Sequence, residues 1–507
     1  MPSIQQQPAP RRLVIRLVWH PLKALLYSVS GAVLVLLVGG IVYLESRADL
    51  EPWHEEMLQH EFTVEAADRA FADFLAREDR LFAELASRIQ QAPDADRASI
   101  LNRFARGSVA DPGRWQVNWN RTFELPSPGP VAGVLLLHGM SDSPYSLRQL
   151  GQRLQAAGAW VVGLRLPGHG TAPSGLVEVT WQDMAAAVLL AMRHLSQQAG
   201  DAPLYIVGYS NGAALAVEYA LTALIEDGRP PVKGLGLISP AIGVSPVAAL
   251  AVWQARVGHW LGLDKLAWNA ILPEYDPFKY NSFAVNAGDQ VHRLTGRIQQ
   301  QLRAAEAAGV LGDMPPVLAL QSVVDATVST PALVGGLFDR LPEGEHELVL
   351  FDINRESVIE PLLKGDPTAT VSRLLADRQR AFTLSVVTNA DPESLDVVQR
   401  RWVPGREGNT ETALGLRWPE GVYSLSHVAL PFSPHDPLYG SRPAGRGHGI
   451  HLGTIDLRGE RGVLRLSAAD MMRLRSNPFY DYLEARLMTF LDLPGVSAVT
   501  VRQGGKP

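Results

Sequence analysis

Hydrophobic positions follow three different rhythms along the chain. Residues 24–44 read ALLYSVSGAVLVLLVGGIVYL, with no charged side chain. A helix rising about 1.5 Å per residue would let this run just cross a hydrocarbon layer of roughly 30 Å. Arg11, Arg12, Arg16 and Lys23 precede it, and Glu45, Arg47, Asp49 and Glu51 follow. The positive-inside bias then puts a tail at 1–23 in the cytoplasm and the rest of the chain on the outer, periplasmic or extracytoplasmic, side. A cleaved signal peptide fits less well, because the run exceeds an ordinary h-region and no Ala-x-Ala site follows. The expectation is an uncleaved single-pass anchor.

The second rhythm lies in 62–106, where Phe71, Phe74, Leu75, Phe82, Leu85 and Ile89 recur at helical spacing. It predicts amphipathic helices within a region, 45–112, that links the anchor to the body or packs on it. After Asp111-Pro112-Gly113 the third begins. Strand-like runs at 131–137, 159–164, 203–209, 233–239, 316–322 and 346–352 alternate with helical stretches such as 145–157, 181–198 and 211–226. Continuous apolar strands alternating with helices indicate a doubly wound α/β domain with a mostly parallel sheet. Its core divides into 113–240 and 316–354. Residues 241–315 interrupt it without a clear strand, carry Trp253, Trp260, Trp268, Phe278 and Phe283, and are expected to form a helical cap. A second interruption, 355–420, holds one strand-like run at 383–387. Residues 421–507 complete the chain with a histidine-bearing loop and a C-terminal helix.

Composition narrows the chemistry. The 507 residues are 46% hydrophobic and 19% charged, with a net charge of −6, which offers nucleic acid no electrostatic footing. With no cysteine there is no disulfide, thiol nucleophile or thiolate metal site. His448 and His451 stand three apart, but in a Gly-rich stretch without an adjacent Glu, so no metal site is expected. Neither a P-loop nor a dinucleotide fingerprint is present, and no cofactor is expected.

The segment PLYIVGYSNGAALAVEYAL joins a strand to a helix through Gly208-Tyr209-Ser210-Asn211-Gly212. A G-x-S-x-G pentapeptide alone is a weak signal. Between a buried strand and a helix it requires a sharp turn that lifts the Ser210 hydroxyl above the carboxyl edge of the sheet. Upstream, LLLHGMSDSP ends the first strong strand. There Gly139 is expected to turn the backbone so that the Met140 N–H, with the Asn211 N–H at the helix start, forms an oxyanion hole. Ser210 needs a histidine as base and a carboxylate to orient it, in chain order Ser, acid, His. Asp325 follows the strand at 316–322, and Asp352, ending the next strand, is the alternative acid. His427 is the expected base, with His435 beside Asp436 as the competing choice. His169 comes too early in the order and is read as scaffold.

On the segments LLLHGMSDSP, LRLPGHGTAPSG, VGYSNGAALA and those around Asp325 and His427, the chain resembles the α/β-hydrolase superfamily. The likeness is to its serine esterase branch, which includes carboxylesterases, monoacylglycerol lipases and lysophospholipases and is often labelled serine-aminopeptidase-like. It covers 130–352 well and 420–495 loosely. The resemblance implies a Ser210, Asp325, His427 triad with Met140 and Asn211 as oxyanion donors. The chain departs from the family in its anchor, its helical region and the insertion before His427. The function expected is hydrolysis of a small-molecule carboxylic ester, acyl or lipid-like, through an acyl-enzyme. An amidase or aminopeptidase uses the same machinery, with Glu274, Asp276 and Asp289 as cap acids for a free N-terminus. A non-catalytic binding protein of this fold is the reading from another class.

Overall fold

A computed structural model describes residues 11–66, 70–90, 100–243, 263–356, 368–377, 380–443, 449–453 and 471–493. The chain divides into two compact units, Met1–Asp49 and Leu50–Pro507. In the first, helix α1 runs from Arg11 to Glu45. The expected boundary at residue 24 is thus a change of composition inside one continuous helix, since the basic residues before it are good helix formers. Among the described residues no helix is long and apolar enough to cross a membrane. The expected span, 24–44, falls within this helix. Several α1 side chains lie outside the described residues.

The second unit is built on a ten-stranded sheet. In chain order its helices and strands begin with α2 (Pro52–Glu55), α3 (Phe71–Leu85), β1 (Phe123–Leu125), β2 (Ala132–Leu137) and α4 (Arg148–Ala156). There follow β3 (Ala159–Leu164), α5 (Gly175–Glu178), α6 (Trp181–Ala199), β4 (Leu204–Tyr209), α7 (Asn211–Ile225) and β5 (Gly234–Ile238). Next are β6 (Trp268–Ala270), β7 (Phe283–Ala284), α8 (Val285–Ala308), β8 (Val317–Ser322), α9 (Thr330–Gly336) and β9 (Glu347–Phe351). The last are α10 (Thr368–Ala376), β10 (Thr383–Asn389), β11 (Asp396–Trp402), β12 (Thr410–Arg417) and α11 (Tyr480–Phe490).

The sheet order is β1-β3-β2-β4-β5-β8-β9-β10-β11-β12. From β3 to β10 every pairing is parallel, while β1, β11 and β12 pair antiparallel. The pleat sends alternate residues to opposite faces. Leu135 and Leu137 join one core with α6, α7 and α8, and Val134 and Leu136 join the other with α4 and α11. Burial on both faces is why these strands read as unbroken apolar runs.

Two expected boundaries change. The segment 355–420 is not a separate insertion. Its described part adds β10 to β9 and the β11–β12 hairpin to β10, so it widens the core sheet. Within the cap segment, α8 packs along α7 and buries Leu294, Ile298 and Leu302 in the main core, so it is a layer helix. The same segment holds the small β6–β7 pair, where no strand was expected; Trp253 and Trp260 lie outside the described residues. Finally, of the two readings of 45–112, a link to the body or a segment packed on it, the described part from Leu50 onward follows the second. Phe62, Phe71 and Phe74 enter the main core, and Phe82, Leu85 and Ile89 pack with Trp53 and Phe104.

Arg165 fastens that N-terminal segment. Its buried guanidinium donates to Glu61 at 2.9 and 3.0 Å and to Glu78 at 3.0 Å, and Nη1, one of the two nitrogens on Glu61, also reaches the His169 carbonyl at 3.0 Å. The loop after β3 is thereby tied to α3 and to the turn before it.

Candidate active site

β4 ends beside β2 and β5, and the chain must turn at once into α7. It does so at Ser210, whose φ of 54° and ψ of −113° lie where only glycine is comfortable. Four backbone bonds hold the turn. The Ser210 N–H donates to the Ile238 carbonyl at 2.9 Å, and its own carbonyl accepts from Ala213, Ala214 and Ala241. The flanking glycines are obligatory for space. A Cβ on Gly208 would lie 2.5 Å from Ala213 backbone, and one on Gly212 only 2.2 Å from the Leu137 oxygen.

His427 begins a short 3₁₀ turn after the sheet extension and presents its imidazole to Ser210, Nε2 to Oγ 3.1 Å. Its Nδ1 lies 2.8 Å from Asp325 Oδ2. A carboxylate only accepts, so Nδ1 carries the proton and Nε2 offers its lone pair to the serine hydroxyl. Asp325 stands just past β8, its other oxygen accepting from the Thr327 and Val328 amides at 2.8 and 2.9 Å. Burial works to raise the Asp325 carboxyl. The His427 hydrogen bond and charge, with those amides, outweigh it and hold the group below the usual carboxylate range.

The structure thus brings together Ser210, Asp325 and His427 from three distant segments. It leaves the alternatives elsewhere. Asp352 is bound by Arg355 at 2.7 and 2.8 Å and by the Thr388 hydroxyl at 2.8 Å. His435 Nδ1 pairs with the Arg442 carbonyl at 3.1 Å. His448 lies outside the described residues, and His451 sits in a loop.

Met140 lines the cleft beside Ser210, and its N–H has no acceptor among the described residues. Asn211 opens α7, where no intrahelical carbonyl reaches its N–H. The sharp turn of this loop is not at Gly139, as expected, but at Ser141, with φ of 65°. Gly139 is required for closeness, since a Cβ there would be 3.0 Å from the Tyr209 ring and from Asp142. His138 holds the loop from behind. Its Nε2 accepts from the Leu166 N–H at 3.0 Å, so its Nδ1–H donates to the Gly139 carbonyl at 2.8 Å.

Several site residues had no distinctive motif. Tyr209 donates to the His427 carbonyl at 3.3 Å, and its ring lies 5.3 Å from the imidazole. The Tyr280 N–H donates to the Ser141 carbonyl at 2.8 Å, and Lys279 Nζ lies 3.3 Å from Asp142, so the cap loop grips the loop after β2. Tyr209 and Tyr280 were detectable only as neighbours of the motif and of the cap aromatics. The expected cap acids are otherwise engaged. Glu274 accepts from the Asn281 and Ser282 amides, and Asp289 pairs with Arg293 at 2.6 Å. Asp276 is bonded by the Tyr439 hydroxyl at 2.8 and 2.7 Å.

A second Ser–His pair, Ser282 and His54 at 2.9 Å, has the wrong polarity for a base. His54 Nδ1 accepts from the Glu51 N–H, so its Nε2 is the donor. Among the described residues no cluster of His, Asp and Glu is arranged to hold a metal.

Buried neutral histidines give a pH dependence. Burial pushes His54 and His169 down to about 4 and His138 well below its ordinary value. Below about pH 6.5 the unfolded chain takes up protons at these rings that the fold refuses. Stability therefore falls as pH drops from about 6.5 toward 4. Glu274, raised by burial to about 7, has the opposite sign, since its folded-state proton is lost as pH rises from about 4.5 to 7. His346, also lowered by burial, adds to the histidine side, while Asp276, Asp339 and Glu484 are raised as Glu274 is. The histidines, which titrate within this window in the unfolded chain, are expected to give a lower Tm at pH 5 than at pH 7. Thermal melts across that range test it, and a flat or rising Tm on acidification would contradict these assignments.

Residues 128–352 match the family model described as Hydrolase_4, serine aminopeptidase, S33. The fold is that of an α/β hydrolase. A thermostable monoacylglycerol lipase from Bacillus sp. (strain H-257) is 32% identical over 174 residues, 34% of this chain. The chain spans 65% of that lipase's length. Among solved structures, one from the metagenome-derived lipolytic enzymes LipS and LipT is 22% identical. It covers 52% of this chain and 99% of its own, with a TM-score of 0.36. The monoacylglycerol lipase of Paleococcus ferrophilus is 21% identical, over 46% of this chain and 88% of its own, with a TM-score of 0.34. The matched region ends near β9, so the sheet extension and the His427 loop lie beyond it.

Proposed function

We propose that this chain is a serine hydrolase that cleaves carboxylic esters, acyl or lipid-like, through an acyl-enzyme. The observation that carries the reading is the unbroken chain Asp325–His427–Ser210 opening on a cleft of about 520 Å³. In this reading His427 Nε2 takes the Ser210 proton as Oγ attacks the ester carbonyl. The oxyanion rests on the Met140 and Asn211 amides, placed at the loop after β2 and the positive end of α7. His427 returns the proton to the leaving alcohol, then activates water for deacylation, while Asp325 fixes its tautomer.

Asp325→Asn is expected to lower kcat by about 10⁴-fold, since the amide favours the wrong imidazole tautomer. The measurement is p-nitrophenyl ester turnover, and a loss below tenfold would remove Asp325 from the proposed role. A matched panel of esters and aminoacyl amides then separates esterase from aminopeptidase. Esters are the expected substrates, because Glu274 and Asp289 are bound within the cap and offer no grip for an ammonium. The bound similarity to a monoacylglycerol lipase sequence supports the same choice.

The proposal extends to α1 as a membrane anchor, with the hydrolase on the outer side. Its support is the uncharged run at 24–44, the basic residues before it, and the exposed apolar side chains of Leu26, Leu34, Val35, Val38, Ile41 and Val42. Alkaline carbonate extraction of cell membranes tests the anchor, and release of the full-length protein would refute it.

A further inference from the structure

The cleft over Ser210 holds more positive charge than ester hydrolysis requires. Lys279, Arg473 and Arg475 line it together with Ser210 and His427. Its acidic side chains are accounted for. Asp142 faces Lys279 at 3.3 Å, and Asp325 faces His427 at 2.8 Å. Asp276 accepts from the Tyr439 hydroxyl and from the Phe278 and Lys279 amides, and the Arg103 and Arg475 charges act on it from beyond ion-pair distance. Arg473 has one hydrogen bond, to the Thr327 hydroxyl at 3.1 Å. Neither Arg473 nor Arg475 has a carboxylate within ion-pair distance among the described residues.

The two arginines are also held in place. Leu474 between them packs into the core under α11, and its carbonyl accepts from the hydroxyl of Ser426, the neighbour of His427. Both arginines border the cleft, while the residue between them anchors the segment next to the histidine. A guanidinium is a planar fork of donors suited to bidentate contact with phosphate or carboxylate.

We propose that Arg473 and Arg475 form an anion subsite that selects esters bearing a phosphate or carboxylate near the scissile carbonyl. The proposal rests on the serine-hydrolase reading for its substrate but not for its binding. An ammonium-bearing substrate is correspondingly disfavoured at this cleft.

The test has a binding arm and a turnover arm. Calorimetric titration of Ser210→Ala protein with glycerol 3-phosphate and, separately, with glycerate reads the subsite without chemistry and distinguishes phosphate from carboxylate. The Arg473→Gln/Arg475→Gln pair in that background is expected to weaken binding of the preferred anion by about ten- to a hundredfold. In active protein, kcat/KM is compared for 1-acylglycerol, 1-acylglycerol 3-phosphate and O-acylglycerate of one chain length. The anionic-to-neutral ratio should exceed about ten and collapse toward one in the double variant, chiefly through KM. Anion binding without turnover of any ester would uphold the subsite and defeat the hydrolase reading. Absence of binding by both anions, or a ratio unchanged by the double substitution, would overturn the subsite.

Discussion

Ser210→Ala is expected to abolish the proposed ester turnover, with kcat falling by at least about 10⁴-fold while the protein stays folded. The activity estimate follows from removing the oxygen on which the proposed acyl-enzyme forms. The stability estimate follows from the turn. Alanine gives up the 3.1 Å contact with His427, worth about 1 kcal/mol, and inherits the strained φ of 54° unchanged. Ser210→Gly supplies the control, because it removes the same oxygen and relieves backbone strain of about 1 kcal/mol or more. It should be equally inactive and more resistant to urea than the alanine variant. Parallel esterase assays and urea titrations check both, and residual turnover above a few per cent would contradict the role given to Ser210.

Arg165→Met is expected to cost about 3–5 kcal/mol of stability. The guanidinium is buried between Glu61 and Glu78 and also supports the His169 carbonyl. Removing it strands Glu78, which is nearly inaccessible, whereas Glu61 is partly exposed and suffers less. Adding Glu78→Gln to Arg165→Met should recover part of the loss, because the uncompensated charge causes most of it. Urea midpoints of the single and double variants measure this. A single-variant loss below about 1 kcal/mol would show that α3 is held to the body by its apolar contacts alone.

These two cases mark what the sequence makes legible. The strands from β2 to β9 are readable because both faces are buried, so each is an uninterrupted apolar run bounded by turns. β11 and β12 are not, because DVVQRRW and TETALGLR, the last two strands toward one edge of the sheet, carry charged and exposed positions among the buried ones. α8 falls within the stretch expected to form a helical cap, and its place as a core layer was not legible, since its partner α7 is distant in sequence.

At the site, Ser210 carries its own signal in a strand–turn–helix context. Asp325 and His427 are found only by chain order, and the hydrogen bonds that join them span 102 and 217 residues of separation. The turn at Ser141 was misplaced to Gly139 because glycine is the usual residue for positive φ, whereas here its missing Cβ serves close packing instead. Arg165 and the arginine pair at 473 and 475 had no motif. Their meaning depends on which carboxylates the fold brings to them.

The central claim is that the Asp325–His427 pair activates the Ser210 hydroxyl. Labelling of the purified full-length protein with a fluorophosphonate probe, followed by peptide mass spectrometry, tests it most directly. A single adduct on Ser210 that disappears in His427→Ala, with that variant still folded, is the predicted result. Labelling that persists without His427, or an adduct on another serine, would contradict the account.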